Sequence, residues 1–239
     1  MTTQARTTQA RTTTRDRLAI ALDFPDLDTA EQVAKEVSPW FGIAKVGLEL
    51  YSAAGPEAVA RLRALDLRVF ADIKLHDIPT TVGRAARVLG RQGVAYLNFH
   101  AAGGVAMLRA GVEGLAEGAR ASAHLAPTPI AVTVLTSDPD ASAFEARLAA
   151  AIDSGCGGVV CSVEEVARVH AARQDFVTIV PGVRFAEGDV NDQARVGTPG
   201  AVARAGGDIL VIGRSVTAAK DVRAAAQRVY DELAATAHT

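Results

Sequence analysis

Lysine and cysteine are both scarce in this chain. Only four of its 25 basic residues are lysine, at positions 35, 45, 74 and 220, so a lysine set inside an apolar run is a placed residue. Lys45 and Lys74 are both of that kind. The two cysteines, Cys156 and Cys161, exclude a disulfide framework and a CxxC metal clip, and are expected as small buried hydrophobes. An excess of one charge is also missing: 25 Lys and Arg against 27 Asp and Glu leave a net charge of -2, so no nucleic-acid partner is expected. No stretch approaches the roughly 18 uninterrupted apolar residues of a membrane span, and the N-terminus lacks the apolar core of a secretory signal. No membrane partner is expected, and the location reads as cytoplasmic. With 49% hydrophobic and 22% charged residues over 239 positions, the chain is no disordered polymer and is long enough for a sizeable core.

Residues 2–15 read TTQAR, TTQAR, TTTR, a low-complexity tract with nothing large and apolar to bury. Residues 1–16 are therefore expected as a disordered tail and 17–239 as one continuous fold, undivided by any Pro/Gly/Ser linker. Eight short apolar runs punctuate that fold: LAIALD at 18–23, GIAKVG at 42–47, RVFADIKL at 68–75, YLNFH at 96–100, IAVTVL at 130–135, GVVCS at 158–162, TIVPG at 178–182 and DILVIG at 208–213. Between them, segments such as TAEQVAKEV, TTVGRAARVLGRQG and SVEEVARVHAAR repeat apolar residues every three or four positions, the period of an amphipathic helix. Strands joined through helices form a parallel sheet buried on both faces. Eight such repeats in this length favour closure into a single α/β domain, a (β/α)8 TIM barrel. An open doubly wound sheet is the alternative, but the first strand-to-helix junction, LDFPDLDTA, has no GxGxxG fingerprint.

In a parallel barrel the site gathers at the C-terminal ends of the strands. The charged residues there are Asp23 after the first strand, Lys45 on the second, Asp72 and Lys74 ending the third with Asp77 beyond, Arg184 after the seventh and Arg214 after the eighth. Side chains alternate across a strand, so Asp72 and Lys74 share one face and Ala71, Ile73 and Leu75 the other. With the apolar set against the helices, both charges point inward. Lys45 on the adjacent strand can then reach Asp72, and Asp77 completes an array of two ammoniums and two carboxylates. Buried charges are costly, and pairs also occur for packing alone. Four of them converging at the catalytic end of a barrel point instead to chemistry. A divalent ion held by Asp23, Asp72 and Asp77 is the rival reading; the interleaved lysines repel a cation, so no metal is expected.

The last two strands carry a different signal. PGVR at 181–184 and GRS at 213–215 set Pro181, Gly213, backbone N–H groups and the arginines Arg184 and Arg214 where such barrels bind phosphate. Ser215 stands at the start of the helix that follows. The segment from Arg184 to Pro199 is polar, too long for a tight turn and suited to fold over the anion, with Gln193 offering an amide. Thr136, just past the fifth strand, suits a hydrogen bond to a planar ring. His76 and His100 read as supporting histidines, and Trp40 and Tyr51 as packing.

Together these segments resemble one family, the orotidine 5'-phosphate decarboxylases, from about Leu18 to about Tyr230. ALDFPD, KVGLELYSAAGP, DIKLHDIPTTV at 72–82, NFHAAGG, AVTVLTS, VPGVRF, DQARVGTP and VIGRS follow the family's order. DxKxxD alone is shared with related sugar-phosphate barrels; followed by IPxT and joined to PGVR, DQ and GRS it is specific. The resemblance implies decarboxylation of orotidine 5'-monophosphate to UMP and carbon dioxide, the last step of pyrimidine nucleotide synthesis, with no cofactor. By it, Asp23 and Lys45 bind the ribose hydroxyls, Asp72 lies against the substrate carboxylate, and Lys74 delivers a proton to C6. Asp77 and Thr81 reach into the partner's site of a homodimer. Thr136 contacts the pyrimidine, Gln193 bridges base and phosphate, and Arg184, Gly213 and Arg214 hold the phosphate. Two readings compete: a metal-dependent sugar-phosphate lyase or isomerase of the same superfamily, and a catalytically silent phosphate-binding barrel.

Overall fold

The computed structural model describes residues 13–135, 140–185 and 197–236. Its strands are β1 (Leu18–Ala21), β2 (Ile43–Val46), β3 (Arg68–Leu75), β4 (Tyr96–His100), β5 (Thr128–Val132), β6 (Gly158–Val160), β7 (Val177–Val183) and β8 (Ile209–Ile212). They pair in parallel and in chain order into a closed barrel. Leu18, Ala19 and Ile20 of β1 lie in register with Leu210, Val211 and Ile212 of β8, so the expected barrel closes and the open sheet is ruled out. The described helices are α1 (Leu27–Val37), α2 (Leu48–Ala54), α3 (Pro56–Arg63), α4 (Pro79–Arg91), α5 (Gly104–Ala121), α6 (Phe144–Asp153), α7 (Val166–Ala172), α8 (Pro199–Arg204), α9 (Arg214–Thr217) and α10 (Val222–Thr236). Among the described residues no helix is long and apolar enough to cross a membrane.

Local chemistry sets these elements. Asp26 caps α1, its carboxylate accepting the Thr29 N–H at 2.8 Å, and Leu27, Ala30, Ala34 and Val37 then recur at helical spacing to face the sheet. Pro79 opens α4, where its missing N–H costs nothing. Helices α4 and α5 meet backbone to backbone. A Cβ on Gly114 would strike the Gly83 carbonyl, and one on Gly118 the Arg87 carbonyl, so only glycine permits this approach. That contact fixes α4, whose first turn directly follows the charged end of β3.

The apolar material forms two layers. The larger lies between strands and helices, built from residues such as Leu18, Ile20, Val69, Leu97 and Leu210. The smaller fills the barrel itself with Ala19, Ile43, Phe70, Tyr96, Ile130, Ile179 and Ile209. Cys156 and Cys161 are buried as expected, and burial raises both thiols, Cys156 to about 11.

The expected boundary of the tail needs correction, because Thr13–Asp16 belong to the folded body. Thr13 and Asp16 bond each other, Arg15 Nε donates to the Ser38 carbonyl at 2.8 Å, and Arg68 donates to the Asp16 carbonyl at 2.6 Å. Polar side chains can anchor a segment through main-chain carbonyls without any apolar residue, which an apolar-residue criterion does not register. The rest of the expected tail, residues 1–12, lies outside the described residues.

Candidate active site

Parallel strands bring all their C-terminal ends to one mouth, and a cavity of about 1080 Å³ opens there. Strand register fixes which side chains face the barrel interior beneath it. Lys45 of β2 pairs with Phe70 of β3, and Phe70 with Tyr96 of β4. Two residues further on, Asp72 and Asn98 therefore stand on the same inner face, one layer above the apolar filling. Hydrophobic walls surround them: Val132, Val160, Ile179 and Val211 at depth, Leu48 and Leu135 at the rim, both unusually exposed for leucine.

The charges form a chain centred on Asp72. Its Oδ1 accepts from Lys74 Nζ at 2.6 Å and from Asn98 Nδ2 at 2.6 Å, while Oδ2 lies 3.3 Å from Lys45 Nζ. Lys45 Nζ turns its other side to Asp23 Oδ1 at 3.0 Å. The Lys45 and Asp72 side chains are only 10% and 15% exposed, so neither charge is held by water alone. Lys45 also fills the space between Asp23 and Asp72 that a shared cation would need. Gly47 makes room for this pairing, since a Cβ there would sit 2.5 Å from Asp23 Oδ1.

Simple alternation along β3 is not what sets Lys74. The ladder to β4 shifts register between Ala71 and Leu75, and Lys74 adopts φ +47°, the left-handed region that a lysine rarely enters. Its N–H, withdrawn from the ladder, donates to Asn98 Oδ1 at 2.7 Å. The mouth end of β7 is irregular too: its register shifts between Val180 and Val183, with Gly182 at φ +71°. Pro181, Gly182 and Arg184 line the cavity there, as do Gly213, Arg214 and Ser215 after the adjacent β8. The Arg184 N–H donates to the Gly197 carbonyl at 3.0 Å, joining the two ends of the intervening segment. Ser215 Oγ is buried without a hydrogen-bond partner among the described residues.

Not every expected residue joins this group. Thr136, Gln193 and most of the expected flap lie outside the described residues. Asp77 and Thr81 are exposed at the start of α4, and Asp77 accepts from the Ile78 N–H at 2.6 Å. Within one chain Asp77 pairs with neither lysine, so the four-charge array expected from sequence holds Asp23 in its place. Asp77 lies in the exposed loop after β3 and does not line the cavity. His76 and His100 stack with ring centroids 5.2 Å apart, and His100 Nδ1 accepts from the Ala102 N–H at 3.3 Å. Burial, then the neighbouring His76, Arg147 and Lys74, lowers the His100 pKa. Trp40 donates to Gln227 at 2.6 Å and Tyr51 packs against the outer core, both away from the cavity.

Sequence reasoning missed three residues here. Asn98 had a legible signal, being an amide at the inward spacing of Tyr96, Asn98 and His100. Arg228 and Phe185 had none: Arg228 comes from α10, late in the chain, and stacks over the Phe185 ring at 4.2 Å on the cavity wall.

A closed barrel with buried opposed charges, an apolar-walled cavity and arginines at its mouth defines the class of (β/α)8-barrel enzymes. Residues 16–229 match the Orotidine 5'-phosphate decarboxylase / HUMPS family, and the chain belongs to that family. It is 45% identical over 233 residues to the orotidine 5'-phosphate decarboxylase of Moorella thermoacetica, covering 92% of each chain. It is 46% identical to that of an Anaeromyxobacter species, covering 90% of this chain and 96% of the relative. The crystal structure of orotidine 5'-phosphate decarboxylase from Lactobacillus acidophilus superposes with a TM-score of 0.78 at 30% identity, over 90% of this chain and 98% of that one.

Proposed function

We propose that this chain decarboxylates orotidine 5'-monophosphate to UMP and carbon dioxide, without metal or cofactor, through the charge chain around Asp72. The observation that carries the reading is Asp72 fixed between two ammoniums, Lys74 Nζ at 2.6 Å and Lys45 Nζ at 3.3 Å, in a cavity that Arg184 and Arg214 also line. Arg184 and Arg214 offer forked donors to the phosphate, and the Gly213 backbone lets the anion approach closely. Gln193 bridges phosphate and base, while Pro181 and Thr136 border the pyrimidine. Asp23 and Lys45 take the ribose hydroxyls.

The bond from C6 to the carboxylate breaks, its electron pair stays on C6, and neutral carbon dioxide leaves. That pair lies in the ring plane and is not delocalised, so a fixed positive charge must stabilise it. Lys74 supplies the charge and then the proton that forms C6–H, and its amine regains a proton from water. Asp72 repels the substrate carboxylate but not carbon dioxide. Contacts at the distant phosphate offset that repulsion. Lys45 between Asp23 and Asp72 supports chemistry by ammonium rather than by a divalent ion.

The active unit is a homodimer in the cytoplasm, with Asp77 and Thr81 completing the partner's site. Supporting this, residues 76–81 form an uninterrupted exposed stretch that includes Ile78, 67% exposed, beside the mouth. Mixing Lys74→Ala with Asp77→Asn tests the sharing. Each variant alone is inactive, and after subunit exchange about one quarter of the sites regain both residues, with turnover to match. A mixture as silent as its components contradicts the shared site.

A further inference from the structure

We infer that Asn98 is a positioning residue that sets the Lys74 ammonium and the Asp72 carboxylate against each other; the inference rests on the roles proposed for those two. Asn98 is fully buried on the inner face of β4 and does not line the cavity, so it acts on substrate only through its neighbours. Its amide bonds both of them: Oδ1 accepts the Lys74 N–H at 2.7 Å, and Nδ2 donates to Asp72 Oδ1 at 2.6 Å. That orientation is forced. A main-chain N–H only donates and a carboxylate only accepts, so the amide fits one way round.

Two consequences follow for the reacting groups. Where β3 leaves register with β4, Asn98 supplies the acceptor that the ladder no longer provides, and so holds Lys74 at φ +47°. Without that bond the lysine main chain relaxes and its ammonium moves from Asp72. The second bond pins the carboxylate plane, because Asp72 Oδ1 then carries both Asn98 and Lys74 while Oδ2 faces Lys45. One buried amide thus fixes the tether of the proton donor and the angle of the carboxylate beside it.

The test compares wild type, Asn98→Ala, Asn98→Asp and Lys74→Ala as full chains in steady-state decarboxylation of orotidine 5'-monophosphate, from roughly pH 5 to roughly pH 8. Asn98→Ala is expected to lose about 10- to 100-fold in kcat with KM changed by less than about threefold, the signature of misplaced reacting groups. Asn98→Asp keeps the volume and the acceptor for Lys74. Ionised, its new carboxylate repels Asp72; protonated, it donates to Asp72 as the amide did. Its kcat relative to wild type therefore rises as pH falls. Position 98 meets Asp72 directly and Lys74 through its N–H, with Lys45 on the other oxygen of Asp72, His100 further along β4 and apolar Ile130 paired with it on β5. All are shared with wild type, so the ratio isolates the new carboxyl.

A merely structural role lowers kcat by one factor at every pH, or lowers only the fraction of molecules that bind UMP. Such a pH-independent ratio, or Asn98→Ala within about threefold of the wild-type kcat, overturns the inference. Where Asn98→Ala does not fold, the Asn98→Asp ratio decides. A Lys74→Ala chain as active as wild type overturns the role of Lys74 and this inference with it. A silent Lys74→Ala beside fully active Asn98 variants overturns the role of Asn98 alone.

Discussion

The two ends of the barrel use the same strands and differ in what their charges face. At the N-terminal end Arg17 donates to the carbonyls of Gly207 at 2.8 Å and Asp208 at 3.3 Å, and Arg68 to the Tyr96 hydroxyl at 2.8 Å and the Asp16 carbonyl. Arg17 thus grips main-chain carbonyls, while Arg68 also lies 3.3 Å from the Asp16 carboxylate and remains 41% exposed to water. At the mouth, Lys45, Asp72 and Lys74 face one another and a cavity instead. A barrel interior prefers apolar filling, as the layer around Phe70 shows. Replacing that filling by charges one layer higher is a departure that packing does not explain and catalysis does.

Three substitutions would break or sharpen that contrast. Arg214→Ala removes a forked donor from the mouth and is expected to lower kcat/KM about 10- to 100-fold, with part of the loss in kcat because remote binding energy offsets repulsion at C6. Single-turnover rates unchanged from wild type would contradict this use of the phosphate. Gly47→Ala drives a methyl against Asp23 Oδ1 and so shifts Lys45; about a tenfold fall in kcat/KM is expected, with the circular dichroism spectrum unchanged. At the other end, Arg68→Met removes the bonds to Tyr96 and Asp16. Unfolding by urea should report a loss of about 1 kcal/mol, with kcat as in wild type. A catalytic defect there would mean that the two ends are coupled and the contrast is false.

Much of the mouth was legible in sequence because strand alternation marked Asp72, and a scarcity of lysine marked Lys45 and Lys74, as placed residues. The eight apolar runs likewise marked the strands, since a parallel sheet buried on both faces reads as continuous hydrophobicity. What was not legible arises from departures from regular geometry or from pairing across long separations. The register shift in β3 and the left-handed Lys74 leave no trace in a period-two pattern. Arg228 reaches the cavity from the last helix, and Arg15 and Asp16 are anchored by carbonyls that carry no sequence signal. Asp77 falls outside the one-chain network, because spacing along a strand says nothing of where a residue beyond its end will point.

We propose that ammonium charge fixed beside Asp72, centred on Lys74, carries the reaction without a metal. The most direct measurement follows the ultraviolet loss of orotidine 5'-monophosphate by purified wild type and Lys74→Ala, each with and without EDTA. Turnover to UMP that EDTA leaves unchanged and that falls at least about a thousandfold in Lys74→Ala is the predicted result. Turnover abolished by EDTA, or retained in Lys74→Ala, would contradict it.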